Sequence, residues 1–156
     1  MRTQNNCYFC NCTSAEYITI MKNRDFKVSI LVSTYNWPKA LEQSIKSMLR
    51  QTILPDEIVI ADDGSGEETR ELIKCLQKES TVPIIHVWQE DDGFRKTIIL
   101  NKAIARITGE YILQVDGDVL LARNFVKDHL ELAEKNHFVC GSRILLEPKI
   151  TEKILK

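Results

Sequence analysis

From Lys27 onward the chain alternates short apolar runs with amphipathic helical patterns, and this alternation restricts the fold more than any other feature. Val28-Ser29-Ile30-Leu31-Val32, Ile58-Val59-Ile60-Ala61, Ile84-Ile85-His86-Val87-Trp88 and Tyr111-Ile112-Leu113-Gln114-Val115 each have strand length. Strands that are apolar nearly throughout belong in a sheet buried on both faces. Between them, Leu41, Ile45, Met48 and Leu49 line one helical face behind Pro38, a residue suited to a first turn. Ser65 and Glu68 have capping-box spacing ahead of Leu72, Ile73 and Leu76. Leu100, Ala103, Ile104 and Ile107 form the next stripe, with Gly109 as its C-terminal cap. Val126, His129, Leu130 and Ala133 mark a further helix, and Phe138-Val139-Cys140 begins a fifth strand. The order βαβαβαβαβ predicts an α/β fold: a mostly parallel, Rossmann-like sheet in a three-layer sandwich with right-handed crossovers.

The 156 residues suffice for one domain with a full core. Residues 27–146 are expected to form it, after a partly disordered extension over 1–26. Residues 147–156 read as the start of a truncated or divergent segment. The pattern Ile150 to Lys156 opens a helix as the sequence stops, which predicts a fragment. Met21 is an alternative natural start. A formal net charge of -1, with Lys and Arg scattered, argues against a general nucleic-acid binder. No apolar run approaches the ~20 residues of a transmembrane helix. Asn5, Asn6, Asn11, Thr13 and Ser14 interrupt any signal peptide. The expected location is the cytoplasm, with peripheral association at the inner face of the membrane left open. Cys75 and Cys140, in apolar segments, are expected to be buried thiols. Cys7, Cys10 and Cys12 lack a fourth ligand at zinc-site spacing and read as thiols of a tail.

Ligands of an open parallel sheet bind at the carboxyl ends of its strands. Those ends read Ser33-Thr34-Tyr35-Asn36, Asp62-Asp63-Gly64-Ser65, Gln89-Glu90-Asp91-Asp92-Gly93-Phe94-Arg95 and Asp116-Gly117-Asp118. So many carboxylates on one rim call for a cation. Asp116 and Asp118 flank a glycine that lets the backbone come close, and their hard oxygens suit Mg²⁺ or Mn²⁺. Taken alone, that tripeptide is equally a strand-to-helix turn. The acidic strand ends beside it favour the metal.

Such a cation usually finishes its coordination with phosphate oxygens, so the expected ligand is a diphosphate. There is no glycine-rich dinucleotide fingerprint after the first strand and no P-loop. Arg95, at the opening of a helix, is the candidate phosphate cation; the alternative is a surface Arg paired with Asp92. Asp63 is the candidate reader of a pyrimidine imino proton, with Tyr35 stacked on the base. Asp62 reads first as a cap for the turn at Gly64. His86 and His129 read as core histidines.

These segments, with Asp92-Gly93-Phe94-Arg95 at the centre of Trp88 to Asn101, resemble glycosyltransferase family 2 and its GT-A fold. The subgroup includes chondroitin-polymerase-like and bacterial surface-polysaccharide transferases. The resemblance runs from about Lys27 to Leu146. It implies inverting transfer of a sugar from a nucleotide diphosphate, such as a UDP-sugar, to a glycan or lipid-linked acceptor. Carried over by position, Ser33, Thr34, Tyr35 and Asn36 would line the nucleoside pocket and Asp63 would read uracil. Asp62 would sit beside it, Arg95 would approach the diphosphate, and Asp91 and Asp92 would face the donor sugar. Asp116 would face ribose or sugar, and Asp118 would ligate the metal. Leu100 departs from the subgroup's Arg before Asn101. The family's general base is a carboxylate from the acceptor half. Only Glu147 and Glu152 occur there, in no matching motif, so none is assigned. The stretch is therefore expected to bind donor, to lack part of the acceptor-binding half and to turn over weakly or not at all. Competing readings are a non-catalytic nucleotide-sugar-binding module, a nucleotidyltransferase and, more distantly, a receiver-type signalling module.

Overall fold

The computed structural model describes residues 26–155. The expectations for the three N-terminal cysteines, the extension and Met21 lie outside them. The described residues fold as β1 (Val28–Thr34), α1 (Pro38–Met48), β2 (Glu57–Asp62), α2 (Glu67–Glu79), β3 (Ile84–Trp88), α3 (Lys96–Ile104), β4 (Tyr111–Asp116), α4 (Phe125–Leu132) and α5 (Pro148–Ile154).

The four strands are all parallel, in the order β3-β2-β1-β4. Side chains alternate across each strand, so one strand feeds two cores. Val28, Ile30, Val32, Ile58, Ile60, Ile84 and Leu113 pack on one face with Leu41, Ile45 and Met48 of α1 and Ile73 and Leu76 of α2. Leu31, Val59 and Ala61 pack on the other face with Ile99 and Ala103 of α3. The result is the expected three-layer sandwich. The chain moves outward from β1 to β2 and β3, then returns through α3 to β4 on the other side of β1. Its switch point therefore lies between the carboxyl ends of β1 and β4, where crossing connections leave a crevice.

Five local expectations are corrected. Residues 138–140 form no strand: Phe138 and Val139 line a cavity of about 750 Å³ together with β4 instead of pairing with it, and Phe138 and Cys140 are exposed. A short apolar run becomes a strand only where a neighbour pairs with it. No capping box forms: Gly66 is the N-cap of α2, and the Ser65 hydroxyl is instead taken by the Asn36 amide at 2.9 Å. Gly109 caps no helix, because α3 ends at Ile104. It packs against β1, donating its N–H to Ser29 Oγ at 3.1 Å. The inward stripe of α3 is turned by a residue, so Ile99 is buried while Ile104 is exposed. Cys75 and Cys140 are both exposed free thiols.

Candidate functional site

Each strand end delivers its polar residues to one rim because every strand runs the same way. Between the ends of β1 and β4 lies a cavity of about 250 Å³ whose walls include Ser33, Thr34, Tyr35, Asp63, Lys96, Asp116 and Asp118. Trp37 and Phe94 add aromatic surface at its mouth, and Ile99 contributes to its apolar wall.

The β4 wall is the acidic one. Asp116 closes β4, and its Oδ1 accepts from Ser33 Oγ at 2.9 Å and from Lys96 Nζ at 2.5 Å. The Lys96 ammonium holds the Asp116 carboxyl below the usual carboxylate range, partial burial opposes this, and the Ser33 bond assists it. Among the described residues, the ion-pair partner of Asp116 Oδ2 is Arg143, at 4.0 Å. Gly117 turns tightly against β1, donating its N–H to the Ser33 carbonyl at 2.8 Å. A Cβ there would stand 2.8 Å from that carbonyl oxygen, so the turn admits only glycine without a shift. Asp118 follows, exposed, lining the cavity and with no hydrogen-bond or ion-pair partner among the described residues.

The β2 wall is built by fixation. Asp62 is fully buried, accepting from the Ser65 amide at 2.8 Å and facing His86 Nε2 at 2.9 Å. Burial alone would raise its pKa; the bonds from His86 and Ser65 outweigh it and hold the carboxyl below its ordinary value. Asp62 is thus the turn cap, and His86 is its partner rather than a purely packed core residue. Gly64 has φ +98, and a Cβ would lie 2.6 Å from the Asp91 Cα, so the loops after β2 and β3 close on each other there. Asp63 turns toward the cavity. Gln89 Nε2 donates to one oxygen at 2.6 Å and the Arg95 amide to the other at 2.9 Å. Gln89 is itself held by Lys102 Nζ at 3.1 Å.

The remaining candidates frame these walls. Tyr35 OH donates to Asp91 at 2.9 Å, a bond that raises the phenol pKa. Asn36, at φ +44, accepts from the Gly66 amide at 2.9 Å and so ties the end of β1 to α2. Arg95 pairs with Asp92 at 3.0 Å and donates to the Glu90 carbonyl at 2.6 Å, while its Nε is buried without an acceptor among the described residues. Among the described residues, the cation lining the cavity is instead Lys96, which no motif in the sequence marks. Gln89 and Lys102 were missed too, because their role is to position Asp63 and no motif announces it.

As metal donors, Asp116 and Asp118 offer hard carboxylate oxygens on one loop. Among the described residues no third His, Cys, Asp or Glu joins them. A cation held here would draw its other ligands from water or phosphate, the habit of Mg²⁺.

A doubly wound parallel sheet with a polar cleft at its switch point defines the class: an α/β protein whose ligand site lies at the carboxyl ends of the strands. Within that class the comparisons with known proteins are specific. Residues 29–155 match the family model described as Glycosyl transferase family 2, and the chain belongs to that family. An uncharacterized glycosyltransferase of Rickettsia bellii is 34% identical over 135 residues, 84% of this chain and 19% of that protein. Chondroitin synthase of Pasteurella multocida is 30% identical over 120 residues, 75% of this chain and 12% of that one. Among solved structures, S. aureus TarS 1-349 in complex with UDP aligns with a TM-score of 0.60 and 25% identity, over 67% of this chain and 31% of its own. The mannosyltransferase PcManGT from Pyrobaculum calidifontis, in complex with GDP-Man and Mn2+, aligns with a TM-score of 0.67 and 23% identity, over 85% and 39%. The fold is thus GT-A. The chain spans less than a third of the Rickettsia and Pasteurella proteins.

Proposed function

We propose that this chain is the donor-binding part of a metal-dependent inverting glycosyltransferase that moves a sugar from a UDP-sugar to a glycan or lipid-linked acceptor. The observation that carries the reading is the pair Asp116 and Asp118, set on one glycine-pinched loop against the hydroxyl end of β1. Asp118 is open to a ligand, and among the described residues Asp116 Oδ2 has no partner closer than Arg143 at 4.0 Å.

Asp118 and Asp116 would hold Mn²⁺ or Mg²⁺. When bound, such a cation supplies Lewis-acid neutralisation of the departing diphosphate. Ser33 keeps the Asp116 carboxylate turned toward the cleft. Asp63 offers its outer lone pairs to the uracil imino proton; each oxygen already accepts one bond, and a carboxylate has about four acceptor sites. Those bonds from Gln89 and Arg95 hold it in place and prepay its ordering. Tyr35 and Thr34 frame the nucleoside side of the cleft, with Asn36 fixing the turn that carries them. The buried, acceptorless Nε of Arg95 supports a rearrangement of that guanidinium onto phosphate oxygens, whose planar fork it matches. Asp91 and Asp92 lie toward the donor sugar.

TarS, a structural relative at 25% identity in complex with UDP, supports the choice of uridine. Chondroitin synthase among the relatives supports a glycan acceptor. Glu147 and Glu152 lie at α5, exposed and away from the cavity walls, so no general base is assigned. No helix among the described residues is long and apolar enough to cross a membrane.

Calorimetric titration with UDP, GDP and ADP, with and without Mn²⁺, tests the reading. UDP should bind more tightly than the purine diphosphates, and only with Mn²⁺ present. Tight binding of UDP without metal would contradict it.

A further inference from the structure

Lys96 is the first residue of α3, and its ammonium crosses the cavity to the same Asp116 oxygen that accepts from Ser33. Both members of the pair are partly open to solvent, at 34% and 40% side-chain exposure, so a ligand can reach either. The carboxylate that the proposed function assigns to a divalent cation is therefore already neutralised by a tethered monovalent one. A lysine suits this, being a compact charge on a flexible four-carbon stem that can change partner by rotating. Arg95 does not compete for it, since its guanidinium is engaged by Asp92 and the Glu90 carbonyl.

Two positive charges cannot share Asp116 without repulsion. With metal alone in the cleft, the ion would have to displace Lys96 or tolerate it. A diphosphate changes the balance, bringing anionic oxygens that can receive the ammonium and leave Asp116 to the metal. We infer that Lys96 is a built-in competitor for the metal, holding Asp116 until a diphosphate draws it away. Metal and nucleotide binding are then positively coupled, and the coupling is reciprocal. In this way Lys96 makes occupancy by the cation depend on the donor. The inference rests on the proposed donor site and adds to it a positioning residue and a binding order.

The test is electron paramagnetic resonance titration of Mn²⁺ into the 156-residue chain, with and without UDP, for the wild type, Lys96→Met and Lys96→Arg. The wild type should bind Mn²⁺ weakly alone and more tightly with UDP. Lys96→Met should bind Mn²⁺ alone about fivefold more tightly, the order expected from deleting one partly screened charge. Its gain from UDP should shrink by about the same factor, while Lys96→Arg keeps most of the wild-type coupling. A folded Lys96→Met with unchanged or weaker Mn²⁺ affinity, beside normal wild-type coupling, overturns the role of Lys96 and leaves the donor site standing. A wild type whose Mn²⁺ binding is not tightened by UDP overturns both. Should Lys96→Met lose the wild-type circular-dichroism spectrum, Lys96→Gln carries the same comparison.

Discussion

The Ser33 hydroxyl donates to Asp116 Oδ1 at 2.9 Å, joining residues 83 positions apart that are register partners on adjacent parallel strands. This bond spans the switch point of the sheet, so the topology itself brings an aiming group to the candidate metal carboxylate. Ser33→Ala should cost about 1 kcal/mol of stability in urea denaturation, the usual worth of one hydrogen bond. Mn²⁺-dependent UDP affinity should fall by about tenfold in calorimetry, because once the diphosphate draws Lys96 away no hydrogen bond from β1 would aim the Asp116 carboxylate.

Gly117 is a steric requirement rather than one of backbone handedness. Its Cβ position is 2.8 Å from the Ser33 carbonyl oxygen and 3.3 Å from Thr34 Cβ. Gly117→Ala should destabilise by about 1–3 kcal/mol, the range for overpacking a closed contact. Urea denaturation measures it, and nucleotide binding should weaken with it.

Asp118→Ala should do the reverse. An exposed side chain with no partner among the described residues can be removed within about 0.5 kcal/mol of wild-type stability. The Mn²⁺ dependence of UDP binding should nevertheless vanish. Loss of stability without loss of metal dependence would make Asp118 a structural residue.

At the opposite end of the sheet, Glu57 supplies a control. Its carboxylate is buried, yet it accepts from Ser29 Oγ at 2.7 Å and from the Thr108 amide at 2.7 Å. Burial raises its pKa, and the Ser29 and Thr108 bonds more than offset this, leaving it below the ordinary value. A depressed folded pKa means the unfolded chain binds the proton more readily as pH falls. The stabilisation is therefore complete above the unfolded Glu value of about 4.3 and is lost as pH drops through the folded value. Asp62, shifted the same way, adds to this slope. Glu57→Gln should lower stability at pH 7 by about 1–3 kcal/mol and flatten the acid limb of a stability profile. UDP affinity at pH 7 should be unchanged.

The fold was legible because β1 and β2 are buried on both faces along their whole length, and such runs separated by amphipathic stripes have few solutions. The rim was legible from the same topology, since every strand end faces one way. What the sequence could not reveal depends on non-local competition. The Ser65 hydroxyl has capping-box spacing, yet the Asn36 amide from another loop claims it. Phe138 to Cys140 has strand composition, yet it makes no ladder with β4. Arg95 is the cation that the sequence puts beside Asp-Gly-Phe, while the next residue reaches into the cleft. Which of two neighbours at a helix start points inward depends on the turn between β3 and α3, and no local pattern encodes it. Gln89 and Lys102 escaped notice for a related reason: they serve Asp63 through contacts 26 and 13 residues apart along the chain.

The most direct measurement is anomalous diffraction from crystals of this chain grown with Mn²⁺ and UDP. One manganese peak is expected in the cavity between β1 and β4, held by the Asp118 and Asp116 carboxylates and by diphosphate oxygens. UDP seated in that cavity with no metal at the loop, or a cavity that takes up neither, would contradict it.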